Sequence, residues 1–138
     1  MGGKLVAPQP TENKLKNNIL VGQAALVGDK HKFISAIISP NFSALEEWAR
    51  HREIRARTRA ELLKDRRVVA VYDELVREVN AGLANFETIK RYRLVPEEWS
   101  QDSGELTPSM KLKRRVITER YSGVVAELYA DEATARGE

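Results

Sequence analysis

Apolar positions fall into two kinds of pattern along this chain: short, mostly apolar runs in its first third and helical spacing thereafter. Residues 19–27 and 33–38 are apolar runs, ended by Gly28-Asp29-Lys30 and by Pro40-Asn41. Runs of that length bounded by turn residues predict paired strands in an antiparallel hairpin. Ahead of them, Pro8 and Pro10 fix the backbone before a short helix over 12–16, and Asn17-Asn18 stops it. Ser43 and Glu46 have capping-box spacing, and Leu45, Trp48 and Ala49 follow on one face, which predicts a helix start. From Asp65, the residues Val68, Val69, Tyr72, Leu75, Val76, Val79 and Leu83 repeat at helical spacing. Arg67, Asp73, Glu74, Arg77 and Glu78 then face outward, making this the longest helix. Residues 86–95, rich in Ile, Thr, Phe and Tyr, predict a strand ended by Pro96. Val116, Ile117, Tyr121, Val124, Val125, Leu128 and Tyr129 predict a final helix, with residues 131–138 a frayed end. The fold class is α+β: a small antiparallel sheet with helices packed on it, and no internal repeat.

Composition narrows this picture. A chain of 138 residues makes one ordinary domain with a modest core. Cysteine is absent, so a disulfide framework and a thiolate metal site are excluded. No apolar run approaches the roughly 18 residues needed to span a bilayer, and the N-terminus has no signal core. Met1-Gly2 opens like a myristoylation signal, but Val6 stands where Ser or Thr is needed. A soluble, cytoplasmic domain is the expectation. Net charge is +3, yet Arg50, Arg52, Arg55, Arg57, Arg59, Lys64, Arg66 and Arg67 crowd one segment, partly balanced by Glu53, Glu61 and Asp65. No aromatic platform or base-reading motif accompanies them, so the cluster reads as a solvated helical region with local ion pairs; a nucleic acid, an anionic surface or a phosphate-rich cofactor are the other readings.

Candidate chemistry concentrates near the C-terminus. Gly104-Glu105-Leu106-Thr107-Pro108-Ser109-Met110-Lys111-Leu112-Lys113-Arg114-Arg115 puts Lys111 on a turn-rich loop just before a helix, where a flexible ammonium can meet a phosphate or a carboxylate. His31 and His51 are isolated, so no zinc site is expected, and no Gly-x-Ser-x-Gly element or Cys/His pairing points to covalent catalysis. Trp48 and Trp99 read as packing residues.

The segment from Glu105 to Arg115 resembles the C-terminal lysine motif of the long-chain fatty acyl-CoA synthetases, within the adenylate-forming, AMP-binding superfamily. Gly2-Gly3-Lys4-Leu5-Val6-Ala7-Pro8-Gln9-Pro10-Thr11-Glu12-Asn13 resembles the segment that begins the small C-terminal domain of that family just after its hinge. Leu45-Glu46-Glu47-Trp48-Ala49, Asn80-Ala81-Gly82-Leu83 and Pro96-Glu97-Glu98-Trp99 are similar as well, so the likeness covers nearly the whole chain.

The resemblance implies a single C-terminal lid domain over 1–138, with a post-hinge motif at 1–13 and a lysine motif at 104–115. The large N-terminal domain, which would hold most of the ATP with its Mg, is not in this sequence, and the chain is expected to be an excised, inactive piece of a longer enzyme. By resemblance, Lys111 is the catalytic lysine of acyl-adenylate formation. In the wider superfamily a Gly precedes that lysine and a basic residue follows three places later; Met110 replaces the Gly, while Lys111 and Arg114 keep the spacing, which favours Lys111 over Lys113. Gly3 matches the post-hinge glycine that borders the CoA pantetheine channel, with Gly2 and Lys4 beside it, and Lys113 and Arg114 are the other nucleotide- or CoA-proximal candidates. Val6, Pro8 and Glu12 match positions read as structural, Glu12 as a first-turn anion favoured by the helix dipole. Both motifs on one body imply that the domain rotates between half-reactions, about a hinge just before Gly2. The implied partners are the chain's own large domain, a fatty acid, ATP and CoA, with no specific nucleic acid. Peripheral membrane association of the intact enzyme is left open. The alternatives are the lid of a fatty acyl-AMP ligase that loads a carrier protein, and a non-enzymatic basic module binding nucleic acid or an anionic surface.

Overall fold

The structure, a computed structural model, describes residues 7–29 and 31–131 of the chain. Helix α1 (Pro8–Lys16) is followed by strands β1 (Val21–Val27) and β2 (Ile34–Pro40), then by α2 (Phe42–His51), α3 (Arg59–Leu62) and α4 (Arg66–Ala81). A 3-10 turn over Asn85–Glu87 leads to β3 (Ile89–Leu94), and α5 (Arg114–Arg120) and α6 (Ser122–Leu128) complete the domain.

The predicted hairpin is present: β1 pairs antiparallel with β2, Ala24 opposite Ile38 and Leu26 opposite Ala36. The third strand departs from an all-antiparallel sheet. β3 joins the other side of β2 in parallel, Ala36 opposite Tyr92, giving a mixed sheet of order β1-β2-β3. The reason lies between β2 and β3, where three helices carry the chain back before it re-enters the sheet, the long crossover that parallel pairing requires.

Side chains alternate across β1 and β2, so the sheet separates two cores. Ala24, Leu26, Ala36 and Ile38 pack with Leu15, Phe42, Leu45, Tyr72 and Leu75 on the face covered by α1, α2 and α4. Ala25 and Ile37 pack with Trp99, Leu106, Ile117, Tyr121 and Leu128 on the other. The central strand β2 is buried along nearly its whole length.

Several local expectations are corrected. The cap of α2 is Asn41, whose side chain accepts from Ala44 N–H at 3.2 Å, rather than Ser43, which already lies inside the helix. Asp65 caps α4, its carboxylate accepting from Arg67 N–H at 2.8 Å, and Val69, placed on the buried stripe by spacing, is 37% exposed and lies off it. The third strand starts at Ile89 because residues 85–87 form the 3-10 turn, and the Asn80 amide clamps Ile89 by donating to its C=O and accepting from its N–H, at 2.9 and 2.8 Å. The final helix is two, broken at Tyr121. The Tyr121 hydroxyl donates to Glu97 at 2.8 Å and accepts from the Trp99 indole at 3.0 Å. Burial pushes that phenol up to about 12. Asp131 is not frayed, since both its carboxylate oxygens meet Arg91 at 2.7 Å; residues 132–138 lie outside the described residues.

Candidate functional site

The lysine motif folds as a tight hairpin. Its stems are joined by an antiparallel bridge between Leu106 and Leu112, and Lys113 N–H donates to Glu105 C=O at 2.7 Å. At the tip, Met110 N–H donates to Thr107 C=O and Thr107 N–H to Lys111 C=O, both at 2.8 Å. Lys111 N–H donates to the Thr107 hydroxyl at 3.1 Å. Leu106 is 1% exposed and roots the hairpin in the second core. Lys111, at the other end, is exposed and makes no side-chain ion pair among the described residues. Lys113 is exposed too, but its backbone belongs to the stem and caps α5.

Met110 takes φ 65°, in the left-handed region that favours glycine. The turn that presents Lys111 needs this conformation, which explains how a glycine could occupy the same place in related motifs. Met110 is half-exposed, so its replacement removes little packing. Met110→Gly is expected to leave stability unchanged or raise it by up to about 1 kcal/mol, whereas Met110→Val should lower it by about 1–2 kcal/mol, read by thermal unfolding.

Both stems are tied to buried carboxylates. Glu105, at the start of the hairpin, is 3% exposed. It accepts from the Ser103 hydroxyl, from Ser100 N–H at 3.2 Å and from Arg120 at 2.6 Å. Burial alone would raise its carboxyl, but the hydrogen bonds from Ser103, Ser100 and Arg120 outweigh that and hold it below the ordinary value of 4.5. Gly104 beside it has φ 97°, and a Cβ there would stand 2.9 Å from the Arg120 guanidinium. A depressed folded pKa contributes stability that is full above the unfolded value and lost as pH falls through the folded one. The wild-type domain should therefore lose stability on acidification below about pH 4.5, with Glu105→Gln less stable by about 1–2 kcal/mol at neutral pH and flatter in its acid limb. Chemical denaturation of both proteins between pH 7 and pH 3 checks it.

Arg114, at the start of α5, reaches across to α1. Its two terminal nitrogens meet the two Glu12 oxygens at 2.8 and 2.6 Å, and Glu12 also accepts from Leu26 N–H at 2.7 Å. β1 is an edge strand, and Glu12 occupies one of its outward-facing N–H groups. Glu12 is thus no first-turn dipole anion: it is 3% exposed, a full turn into α1, and paired. Its partner is 102 residues away, a pairing without a local sequence signal. Between α1 and the hairpin lies a cleft of about 340 Å³ lined by Gln9, Asn13, Lys16 and Lys111, with the Glu12–Arg114 pair in its wall. α1 begins at Pro8 and not at Glu12 as predicted, so Pro8 and Pro10 lie inside its first turn, where a missing N–H breaks no helical bond, and not ahead of it; Gly2, Gly3, Lys4 and Val6 lie outside the described residues.

Elsewhere, four residues of the basic cluster have side-chain partners. Arg50 pairs with Glu47, Arg59 with Glu98 at 3.3 Å, and Arg67 with Asp65 at 3.3 Å, while Arg52 lies over the Trp48 ring at 4.1 Å. Trp99 is buried. His31 stacks on Tyr129 and His51 meets Glu47 at 3.0 Å. Among the described residues no group of three or more His, Cys, Asp or Glu side chains could hold a metal, and no helix is long and apolar enough to cross a membrane.

Comparison with known proteins identifies the family of this α+β domain. The model of the AMP-binding enzyme C-terminal domain matches residues 1–133. The chain belongs to that family. Its curated relatives include the long-chain-fatty-acid–CoA ligase FadD15 of Mycobacterium tuberculosis, 35% identical over 132 residues, covering 95% of this chain and 22% of the relative. They also include the human long-chain-fatty-acid–CoA ligase ACSBG1, 30% identical, covering 95% of this chain and 21% of the relative. The chain thus spans about a fifth of the length of these ligases, matching their C-terminal region. Among solved structures, the A-PCP didomain of a carboxylic acid reductase from Segniliparus rugosus, in complex with AMP, has a TM-score of 0.70 at 19% identity, over 94% of this chain and 16% of that one. The adenylation domain of a carboxylate reductase from Mycobacterium chelonae has 0.68 at 21% identity, over 89% and 18%. At these identities the likeness establishes the fold.

Proposed function

We propose that this chain is the lid domain of an ATP-dependent long-chain fatty acid–CoA ligase, in which Lys111 supplies the mobile cation of acyl-adenylate formation. The single observation that carries this is the hairpin: it is rooted in the core at Leu106 and presents Lys111, exposed and without a side-chain ion pair among the described residues. In the first half-reaction the fatty acid carboxylate attacks the α-phosphorus of ATP, forming the P–O bond of the acyl-adenylate as pyrophosphate leaves. The approach of two anions and the charge spread over phosphorus are what an ammonium at Lys111 offsets. In the second, the CoA thiol gives up its proton to solvent and its sulfur attacks the acyl carbon, the thioester bond forms, and AMP departs with the bonding pair.

Lys16 across the cleft adds a second cation that suits a phosphate-bearing ligand. ATP and its Mg would be held mainly by the large N-terminal domain. Gly2, Gly3 and Lys4 would border the CoA pantetheine when the domain turns its other face inward. The Glu12–Arg114 bond supports rotation as one body, because it ties the helix after the glycine motif to the lysine hairpin. The isolated domain would be inactive, and the intact enzyme cytoplasmic, with peripheral contact to membranes that hold its substrate.

The test is product analysis of the full-length enzyme given palmitate, ATP-Mg and CoA. Palmitoyl-CoA and AMP in equal amounts are expected. Release of ADP, or an adenylate passed to a carrier protein and not to CoA, would contradict the reading.

A further inference from the structure

The Glu12–Arg114 contact differs from the surface ion pairs of this domain. The Glu12 side chain is 4% exposed, and each of its oxygens receives one guanidinium nitrogen of Arg114 while one also receives Leu26 N–H. A bidentate pair of this kind fixes direction as well as distance, and an enclosed carboxylate left without its cation is strongly disfavoured. Arg114 lies three residues beyond Lys111, and the intervening backbone is already held, Leu112 bridged to Leu106 and Lys113 N–H bonded to Glu105 C=O. Little slack remains between Arg114 and the Lys111 backbone from which the ammonium stem springs. The contact therefore fixes the trailing stem of the hairpin against α1, as Glu105 and Arg120 fix the leading stem against α5.

We propose that Glu12 and Arg114 form a positioning clasp through which α1 sets where Lys111 stands, so that Arg114 acts on adenylation through Glu12 and does not touch the nucleotide. The inference rests on the proposed role of Lys111. It changes the expected behaviour of Arg114, which by sequence resemblance was a nucleotide- or CoA-proximal cation. A ligand-contacting arginine and a clasping arginine respond differently to removal of Glu12, and that difference is measurable.

The experiment uses the full-length ligase with Glu12→Gln, Arg114→Met, the double variant and Arg114→Lys, with Lys111→Ala as the reference. For each, palmitate-dependent ATP–pyrophosphate exchange gives kcat and the KM for ATP, and thermal unfolding reports folding. Both single variants should lower the exchange kcat by about tenfold or more, the scale on which a displaced catalytic group loses rate, with the KM for ATP within about twofold. The double variant should be no slower than the slower single, because the two residues act through one contact. Arg114→Lys should recover part of the rate. A raised KM for ATP in the Arg114 variants alone, or exchange unchanged in both singles, would overturn the clasp.

A second readout does not depend on turnover. In protein carrying 13C-dimethylated lysines, the Lys111 signal should shift or broaden in Glu12→Gln while that of Lys64 stays in place; an unmoved Lys111 signal would overturn the clasp even if a variant were too unstable to assay. If Lys111→Ala keeps full exchange, the proposed role of Lys111 fails, whereas the lysine signal still decides whether Glu12 positions it.

Discussion

Lys111→Ala is expected to slow fatty-acid-dependent ATP–pyrophosphate exchange in the full-length ligase by about a hundredfold or more, the effect of deleting one preorganised electrostatic contact. The size follows from the site. Lys111 is exposed at the tip of a hairpin whose stems are tied to two buried carboxylates, so its ammonium can be delivered without refolding anything. Arginine should rescue poorly, because its planar fork is aimed differently from a compact ammonium on a flexible stem. Lys113→Ala serves as the control. Its backbone is held in the hairpin stem and caps the helix, and its side chain is exposed, so exchange should fall by less than about threefold, within the range of an exposed charge. Neither substitution should alter the unfolding temperature, since neither side chain is buried or paired among the described residues.

The largest expected effect on stability is at Tyr72. Its side chain is fully buried between α4 and the sheet, and its hydroxyl donates to Leu20 C=O at 2.7 Å, pinning the chain just before β1. Burial also drives its pKa well above the ordinary tyrosine value, so the phenol stays neutral and a donor across the working range. Tyr72→Ala should destabilise the domain by about 4 kcal/mol through lost contacts and a residual cavity. Tyr72→Phe isolates the hydroxyl and should cost about 1–2 kcal/mol, since Leu20 C=O is left without that donor. Urea unfolding of the domain measures both, and a Phe variant as stable as wild type would mean that the hydrogen bond contributes nothing net.

Local pattern carried a good part of this structure. Apolar runs bounded by Gly28 and Pro40 located the hairpin, and the spacing of Val68, Tyr72, Leu75 and Val76 located α4, because each pattern reports burial by one element. Orientation of β3 was not legible: it depends on how the three helices return the chain, which no window of sequence encodes. The cap at Asn41 was missed because Ser43 offered a more familiar spacing, and the break at Tyr121 because its apolar stripe continues through it. At the candidate site, the exposed place of Lys111 on a turn was legible from the turn residues before it, and the left-handed Met110 gives that turn its backbone geometry. The two carboxylates that hold the hairpin were not. Glu12 and Glu105 look like surface acids in sequence, and only the fold encloses them with Arg114 and Arg120.

The account turns on one domain presenting Lys111 to the first half-reaction and another face to the second. The most direct measurement is therefore the ratio of the two half-reactions in full-length Lys111→Ala: pyrophosphate exchange, and palmitoyl-CoA formation from supplied palmitoyl-adenylate and CoA. The expected result is exchange reduced by about a hundredfold or more with thioester formation kept within a few-fold of wild type. Exchange at the wild-type rate, or both steps falling together, would contradict it.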